Sequence, residues 1–401
     1  MVSAAFDLAS PEDWATSEPL AFLARLRRED PVSFQEEASG AGFWAITKYA
    51  DVVRIARDTS TFSSSLGGTY IEDAADHEMM SARRMMQNMD PPQHGRYRRM
   101  LLPWFTPRAV ETLEPRIREF SRRLIHRVFP RGRCDLVTEL AGELPLMVIA
   151  ELMGIPDRDR PRMFHLSERL LGHTGAGTHG SHDAKVAAAE MYLYAQELAE
   201  RLQREPGRDL GTFLVQTELD GRRLSPKELN ALFLLLIVAG HETTRHLIAG
   251  GMLALMQHPP QRQRLTQNPG LLPSAVEEML RWISPIIYFR RTATRDVEIR
   301  GKLIPKGAKV ALYYISANRD EEAFPEADRF DVARSPNEHL AFGFGEHICL
   351  GAHLARVEAR VFFEEILALL PDIELADEPK RLRSNFIHGL REMQVKFRPR
   401  G

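Results

Sequence analysis

Cysteine is almost absent from this sequence of 401 residues, which contains only Cys134 and Cys349. Two cysteines cannot form the disulfide framework of a small secreted protein, and an isolated pair is typical of a reducing compartment. An excess of charge is also absent, because 53 Lys+Arg against 55 Asp+Glu leave a formal net charge of -2. This balance indicates neither a nucleic-acid-binding protein nor an acidic disordered chain.

Targeting signals are missing as well. The amino terminus, MVSAAFDLASPEDWA, lacks a basic stretch followed by an apolar one, so we predict no signal peptide. The longest apolar run, 231–239, is too short to cross a bilayer. We therefore expect a soluble, cytoplasmic protein without a membrane anchor.

Apolar residues recur with helical spacing over most of the chain, for example in 107–129, 134–154 and 183–205. Strand-like patterns are confined to the neighbourhoods of 43–49, 286–316 and 381–398. No internal repeat and no long Pro- or Ser-rich linker divides the sequence. We therefore predict a mainly α-helical protein with a smaller β-rich part, organised as a single domain over residues 1–401.

The clearest helix has polar residues at its centre. Ser225 is a favourable N-cap, Pro226 occupies the first helical position, and Glu228 completes a capping box. The helix then continues for about thirty residues, and its apolar first half predicts burial on every side. The segment AGHETT, 239–244, lies in its middle, where a buried glutamate is costly unless it has a function.

Gly240 and Thr243 predict a local irregularity in this helix. Glycine weakens the helical hydrogen-bond ladder, and a threonine hydroxyl can compete for a backbone carbonyl, so a kink can open there. A kink beside a cofactor would leave room for a small ligand, with Glu242 and Thr243 to relay protons. On these residues alone, a tolerated core threonine and an acid that reaches solvent are slightly favoured.

Two groups of histidines raise the alternative of a metal site. His241 and His246 are five residues apart, whereas the zinc-protease motif needs two histidines four apart on one helix face. The Gly/His-rich segment 172–183 contains His173, His179 and His182. Its composition is more typical of a solvated loop than of a metal site. We therefore favour a metal site at neither position.

Four separated motifs follow one another along the chain. They are Asp90-Pro91-Pro92-Gln93-His94 with Arg98, Ala239-Gly240-x-Glu242-Thr243, Glu278-x-x-Arg281 followed by Arg329, and Phe342-x-x-Gly345-x-x-x-Cys349-x-Gly351. In this order they resemble the motifs of a soluble bacterial cytochrome P450, and the cysteine motif is the most specific. The resemblance extends from Asp90 to a last strand near Phe397. It implies the P450 fold, with a large helical lobe, a smaller β-rich lobe, and haem between the long helix and the cysteine turn.

The resemblance implies haem b as cofactor, with Cys349 as the axial ligand of its iron. A thiolate ligand favours O–O cleavage, and backbone N–H groups of a glycine-rich turn and of a helix start stabilise a thiolate. Gly345 and Gly351 would permit the tight turn, and Phe342 would keep the sulfur dry. The implied haem-binding residues are His94, Arg98, Ala239, Gly240, Arg291, Phe342, Gly343, His347, Cys349 and Gly351, with His94, Arg98, Arg291 and His347 on the propionates. Cys134 is instead expected to be a buried cysteine on an apolar helix face.

The implied activity is that of a monooxygenase, which inserts one atom of O2 into an unactivated C–H bond. Glu242 and Thr243 would be the catalytic pair that delivers protons during O–O cleavage. Glu278, Arg281 and Arg329 would form a structural network on the cysteine side of the haem. Electrons would come from NAD(P)H through a reductase and a ferredoxin or flavodoxin, and candidate docking residues are Arg96, Arg99, Arg108 and His353.

Apolar residues at the pocket positions of the family predict a bulky apolar substrate, such as a terpenoid, steroid or branched lipid. These residues are Leu235, Ala239, Ile286, Ile287, Phe289, Phe386 and Ile387. A methionine-rich stretch, 77–89, lies where the family has a lid, although methionines fill a protein's own core equally well. The segments RRTATRDVEI and SNFIHGLREMQVKF also resemble bacterial members that oxidise sterol side chains and methyl-branched lipids.

Three alternatives remain open at this stage. A haem-thiolate peroxygenase would use peroxide directly and would not need Glu242 and Thr243. A biosynthetic hydroxylase would act on a polar or macrolide natural product. A non-enzymatic haem protein would need no proton relay. In each case we expect a monomer that binds no nucleic acid.

Overall fold

Helices account for most of the secondary structure in the computed structural model, which describes residues 6–16, 19–38, 40–73, 75–171 and 182–398. The helices are α1 (Pro11–Trp14), α2 (Pro19–Glu29), α3 (Tyr49–Arg57), α4 (Asp76–Ala82), α5 (Gln93–Leu101), α6 (Pro107–Glu111), α7 (Glu114–Val128), α8 (Glu143–Leu152), α9 (Arg160–Leu171), α10 (His182–Arg204), α11 (Leu210–Gln216), α12 (Pro226–Gln257), α13 (Pro259–Gln267), α14 (Leu272–Ile283), α15 (Tyr314–Ala317) and α16 (Ala352–Leu369). The predicted mainly α-helical class is confirmed.

The strands form one larger sheet and several small ones. They are β1 (Val32–Gln35), β2 (Phe43–Ile46), β3 (Phe62–Ser63), β4 (Arg133–Asp135), β5 (Glu218–Leu219), β6 (Arg222–Arg223), β7 (Tyr288–Ala293), β8 (Val297–Ile299), β9 (Lys302–Ile304), β10 (Lys309–Tyr313), β11 (Glu374–Leu375), β12 (Lys380–Arg381), β13 (Leu390–Glu392) and β14 (Gln394–Lys396). The larger sheet has the order β1-β2-β10-β7-β3, and only the β2–β10 pair is parallel. A second sheet has the order β11-β14-β4.

Helix α12 is the central element of the helical lobe. Its capping box is confirmed, because the Ser225 hydroxyl accepts from the Glu228 N–H and the Glu228 carboxylate accepts from the Ser225 N–H. Within the described residues it is the one helix long and apolar enough to cross a membrane, but 72% of its most apolar window is buried inside the fold. We therefore describe α12 as the core helix of the molecule.

Small residues let α12 contact its neighbours closely. The helix packs against α8, α10, α14 and α16. A β-carbon at Gly251 would lie 2.8 Å from the Met279 sulfur on α14 and 3.0 Å from a ring carbon of Phe363 on α16. Glycine is needed there because no larger side chain fits between the three helices. This crossing fixes α16, and with it the turn before α16, relative to α12.

The helix predicted over 134–154 is wrong in its first third. Cys134 lies in strand β4 and pairs with Val395 of β14. A π-helical turn, Val137–Ala141, then leads to α8, which begins only at Glu143. Cys134 is buried as expected, but the strand is held by hydrogen bonds to a segment distant in sequence, which helical periodicity does not report.

Other predicted boundaries also shift. The helix expected over 107–129 is divided into α6 and α7, with Pro115 in the first turn of α7. Most of the Gly/His-rich segment, including His173 and His179, lies outside the described residues, and His182 is the first residue of α10. Of the residues that the structure describes, none form a cluster of three or more metal-ligating side chains.

Candidate active site

The turn that carries Cys349 is closed by its own backbone. The Cys349 N–H donates to the Phe342 carbonyl over 2.8 Å, around the short 3-10 turn Gly345–His347. Gly343 and Gly345 have φ angles of 71° and 72°, a region that favours glycine. A β-carbon at Gly345 would also lie 2.8 Å from the Ala56 carbonyl oxygen at the end of α3. The left-handed positions are therefore Gly343 and Gly345, whereas Gly351 has an ordinary φ of -84°.

The Cys349 sulfur lies just before the start of α16, where burial and its polar neighbours have opposite effects on its pKa. Burial raises the pKa of the Cys349 thiol, and a hydrogen bond from the Gly351 backbone and the charges of Arg98 and Arg356 oppose that rise. The side chain keeps an exposed surface although protein atoms surround it, so this surface faces an internal space. The thiolate form therefore depends on an electrophilic partner in that space, such as a metal.

Four basic side chains meet beside this turn. His94 of α5 and His347 stack with their ring centroids 4.0 Å apart. Arg98 donates to the Ile348 carbonyl over 2.6 Å, and the buried Arg291 donates to the carbonyl of its neighbour Arg290. Burial, together with the charges of Arg98 and Arg291, lowers the pKa of His94 to about 4. Burial lowers the pKa of His347 to about 2, and the charges of Arg291, His94 and Arg98 act in the same direction. The cluster thus combines positive charge with desolvation.

This basic cluster fits an anionic group. Asp90 is an acid beside it, and its carboxylate accepts hydrogen bonds from Ser63, the Ser64 N–H and Ser65. His94 Nδ1 is buried and has no hydrogen-bond partner among the described residues. Two propionates and one axial thiolate are what haem requires, so the donors present fit this cofactor.

The middle of α12 carries exposed positions in a helix that is otherwise mostly buried. Ala239 is exposed although most of α12 is buried, and Thr243, one turn later, is partly exposed. The Thr243 hydroxyl donates to the Ala239 carbonyl over 3.0 Å, which is the competition for a backbone carbonyl that the sequence suggests. The helix nevertheless continues without interruption from Pro226 to Gln257, so a sharp kink is not present.

Gly240 faces a neighbouring helix rather than the open space. A β-carbon there would lie 3.3 Å from the Ile149 side chain on α8, so the glycine allows α8 to approach. His241 points to the same side, since its Nε2 lies 2.9 Å from the Gly142 carbonyl and its Nδ1 2.7 Å from the Ser167 hydroxyl. Both nitrogens are occupied, which excludes His241 from pairing with His246 on a zinc ion.

Glu242 is buried and held by side chains of its own helix. One carboxylate oxygen lies 2.7 Å from His246 Nε2, and the other lies 3.7 Å from an Arg245 nitrogen. Burial alone would raise the pKa of Glu242, but His246 and Arg245 hold that pKa well below its usual range. Glu242 is therefore ionised in this arrangement.

Glu278 and Arg281 of α14 form a fully buried, two-pronged pair over 2.8 and 2.9 Å. The third charged member is Arg334, whose Nε lies 3.1 Å from the Glu278 carboxylate. The assignment of Arg329 to this network is wrong for its side chain, which is 53% exposed and pairs with Glu326. Only the Arg329 carbonyl takes part, because it accepts from Arg281 over 3.1 Å.

The predicted pocket residues divide into two groups. Leu235, Ile286, Phe289 and Ile387 are partly exposed, and Ile286 and Ile387 form an isolated β-bridge. Ile287 is fully buried in a core cluster between the sheet and the amino-terminal segment, so its placement in the pocket wall is wrong. Side chains alternate between the faces of an extended segment, so Ile286 and Ile287 cannot line the same cavity.

The ring of Tyr70, which the sequence analysis did not place in the pocket, lies beside this wall. The Phe386 ring lies 4.4 Å from that of Tyr70 and 5.8 Å from that of Phe289, centroid to centroid. Tyr70 lies between β3 and α4, where no periodic pattern in the sequence marks it. Its aromatic type, two residues after the pair Gly67-Gly68, was the only available signal.

A second group missed from the sequence supports the cysteine turn. Arg356 stacks over the Phe342 ring at 4.6 Å and pairs with Glu277 through contacts of 2.7 and 2.8 Å. His339 Nε2 lies 3.1 Å from the same carboxylate. These contacts fix the side chain of Phe342, whose carbonyl closes the Cys349 turn.

Comparisons with known proteins agree with this geometry. A family model described as Cytochrome P450 matches residues 146–370. A methyl-branched lipid omega-hydroxylase of Mycobacterium tuberculosis is 42% identical over 403 residues, covering 97% of this chain and 94% of that protein. A steroid C26-monooxygenase of the same species is 37% identical and covers 98% of this chain and 92% of that protein. A solved structure of a Mycobacterium marinum cytochrome P450 in complex with pseudoionone is 36% identical, with a TM-score of 0.91 and 98% coverage of both chains.

Proposed function

The chain belongs to the cytochrome P450 family and is a monooxygenase that acts on apolar substrates, and from this premise we propose that it hydroxylates a terminal methyl group of a terpenoid, steroid or methyl-branched lipid. The observation that carries the proposal is the exposure of Cys349, and of Ala239 and Thr243 in the otherwise buried α12, from which we infer that the three residues face one internal space. Bound haem would supply dioxygen activation and C–H oxidation in that space.

We propose that the Cys349 sulfur would bind the haem iron. The Gly351 N–H and the nearby guanidinium groups of Arg98 and Arg356 favour its thiolate form. The Phe342 ring, held by Arg356, keeps water away from the sulfur. His94, Arg98, Arg291 and His347 would hold the propionates and, by doing so, fix the orientation of the cofactor.

Proton delivery is assigned to Glu242 and Thr243. The Thr243 hydroxyl borders the internal space, and its present hydrogen bond to Ala239 is one it can exchange for a bond to a ligand in that space. Glu242 is next to Thr243 in sequence, and we assign to its carboxylate the transfer of protons towards the Thr243 hydroxyl during turnover. This division of work supports oxygen-dependent turnover rather than peroxide-only chemistry.

The substrate class is inferred from the wall of the space and from the relatives. Leu235, Ile286, Phe289 and Ile387 are apolar and partly exposed, and Tyr70 adds an aromatic face against Phe386. The relatives named above act, by their names, at the end of a methyl-branched lipid and at C26 of a steroid. Both descriptions favour a long or branched apolar molecule whose terminal carbon reaches Thr243.

Electrons are proposed to come from NAD(P)H through a reductase and a ferredoxin or flavodoxin. Arg99 of α5, Arg108 of α6 and His353 in the first turn of α16 are exposed. Their exposure supports a basic docking surface for an acidic partner. Arg96 is paired with Asp220 over 2.8 Å, so its charge is partly neutralised. The single-domain organisation, the monomeric state and the cytoplasmic location stay predictions.

An optical titration tests the substrate assignment. The purified ferric protein would be titrated with methyl-branched fatty acids, steroids and monoterpenes, and with a macrolide as the polar comparison. We expect a Soret shift towards high spin with an apolar class, followed by a terminal-alcohol product when a surrogate ferredoxin and reductase supply electrons. A shift with the macrolide alone would contradict the proposed class, and a protein that holds no haem would contradict the function itself.

A further inference from the structure

The acid of the proton-delivery pair is held by a histidine one helical turn further along α12. Glu242 Oε1 lies 2.7 Å from His246 Nε2. Residues four apart on a helix lie on the same face, so no distortion of α12 is needed for this contact. Both side chains are buried, at 6% and 1% exposure, which makes the hydrogen bond a lasting feature rather than an occasional surface contact.

His246 is itself fixed from the other side. Its Nδ1 accepts from the Leu390 N–H over 3.4 Å, and a β-carbon at Gly389 would overlap the imidazole ring. Since Nδ1 faces a donor, the ring hydrogen belongs on Nε2, directed at Glu242. The segment 389–390 thus acts as a support that orients His246, and His246 in turn orients the acid.

The hydrogen bonds of Glu242 and Thr243 point towards opposite ends of α12. The Thr243 hydroxyl bonds to Ala239, towards the amino-terminal end of α12, whereas Glu242 Oε1 bonds to His246, towards the carboxyl-terminal end. The second oxygen, Oε2, is buried and has no hydrogen-bond partner among the described residues. With Oε1 engaged by His246, Oε2 is the oxygen available for proton exchange.

Other charged groups surround the pair. Arg245 lies 3.7 Å from Oε2, too far for a hydrogen bond, and forms an ion pair with Glu168 of α9, so its charge is shared between the two carboxylates. His241 makes no hydrogen bond to Glu242, because its nitrogens bond to Gly142 and Ser167. His246 is therefore the group that contacts the carboxylate directly.

We propose that His246 is a positioning residue for the monooxygenase reaction: its Nε2–H binds Oε1 of Glu242 and so leaves Oε2 as the oxygen that exchanges protons with the Thr243 side. The inference rests on the proposed roles of Glu242 and Thr243. Loss of His246 would leave a buried carboxylate without its donor, and a buried acid without a donor retains a proton. Proton delivery would then slow, and reduced oxygen would leave as hydrogen peroxide.

Three substitutions separate positioning from packing. His246→Gln keeps an N–H that reaches Glu242, whereas His246→Asn is too short and His246→Leu has no donor. His241→Gln is the matched control, since it removes a buried histidine of the same helix that does not bond to Glu242. Haem content and the spectrum of the ferrous CO complex would be recorded for every variant, so that an unfolded variant is recognised.

The first measurement is infrared spectroscopy of the carboxyl groups, which requires neither substrate nor turnover. We expect the Asn and Leu variants to gain a protonated-carboxyl band that disappears when Glu242→Gln is added, and the Gln variant to lack it. The second is the amount of peroxide formed per NAD(P)H consumed, with its solvent isotope effect. We expect peroxide and isotope effect to rise several-fold in the Asn and Leu variants, and less than twofold for His246→Gln and His241→Gln.

The two measurements fail in different ways. If all variants show the same carboxyl bands and the same peroxide yield as the parent protein, His246 has no positioning role and the inference is overturned. If the bands change as expected but Thr243→Ala leaves the peroxide yield unaltered, the role proposed for the acid–alcohol pair is wrong while the His246–Glu242 contact stands. Equal loss of coupling in His246→Gln and His246→Leu would indicate packing alone and would also overturn the inference.

Discussion

Arg334 donates from its Nε to the Glu278 carboxylate over 3.1 Å, and this contact joins the segment that leads into the Cys349 turn to helix α14. Glu278 also accepts from Arg281 and from the Asp331 N–H. With the Asn337 side-chain amide, four residues donate to this fully buried carboxylate. Its charged partners stabilise one another, since each would otherwise be a desolvated charge. The charge network therefore fixes the chain on the cysteine side of the site.

Substitutions at the buried members of this network should reduce stability and haem loading more than a substitution at the exposed Arg329. We expect Glu278→Ala to cost about 3–5 kcal/mol of unfolding free energy, because two guanidinium groups lose their counter-charge, and to yield little haem-loaded protein. Arg334→Ala should also reduce haem loading, whereas the half-exposed Arg329 should change stability by no more than about 0.5 kcal/mol when replaced by alanine. Denaturant unfolding and haem absorbance per protein measure both effects. Equal losses for Arg329→Ala and Arg334→Ala would show that the contacts do not determine stability.

Cys349→Ala should abolish the spectrum of a thiolate-ligated haem. Without the sulfur there is no axial thiolate, so the ferrous CO complex should lose the red-shifted Soret band of such a ligand. Cys134→Ser is the control, because burial raises the pKa of Cys134 to about 12 and keeps that cysteine neutral. Loss of the red-shifted band in Cys134→Ser but not in Cys349→Ala would reverse the assignment.

Thr243→Ala should uncouple electron use from product formation. Thr243 is partly exposed, so removal of its hydroxyl takes away a donor without a change in the packing of the buried face of α12. We expect haem content and substrate-induced spectral shift to be retained, and product per NAD(P)H to fall several-fold with a matching rise in peroxide. Thr244→Ala, at a buried neighbouring position, should lower stability and leave coupling unchanged. Unaltered coupling in Thr243→Ala would show that the alcohol is dispensable.

Two buried histidines outside the basic cluster should make stability fall below neutral pH, in addition to His94 and His347 of that cluster. Burial lowers the pKa of His241 to about 4 and that of His388 to about 3, from an ordinary 6.5. Between pH 6.5 and these lower pKa values the unfolded chain binds more protons than the folded chain. The contribution of the neutral histidines to stability is therefore complete above pH 6.5 and is lost as the pH falls towards 4 and then 3. Each histidine adds at most about 1.4 kcal/mol per pH unit. His241→Gln should reduce the slope of melting temperature against pH in this window, and an unchanged slope would contradict the assignment.

Local sequence patterns predicted the parts of the site that depend on local structure. Cys349 lies in a turn closed by residues within seven positions, and Glu278 and Arg281 are one helical turn apart, so both motifs could be read directly. The capping box and length of α12 follow from propensity and periodicity alone. The family resemblance, which is confirmed, then supplied the order of the elements.

Contacts between distant segments could not be read in this way. Arg329 and Arg334 have the same residue type five positions apart, and only the path of the chain decides which side chain reaches Glu278. Cys134 was placed on a helix because its strand is defined by pairing with Val395. His246 was considered only as a zinc ligand, since nothing in the spacing reports that residues 389–390 orient its ring towards Glu242.

The burial of α12 has a consequence for how the protein is made. Its apolar surface is covered by α14 and α16, which are translated only after the helix itself is complete. At roughly 5–20 residues per second, a ribosome needs on the order of ten seconds to reach the end of α16. During that interval the preceding helices, α8 and α10 among them, are available to cover α12, but the face that later packs against α14 and α16 stays exposed, so expression yield should depend on chaperone supply and on translation speed downstream of residue 257.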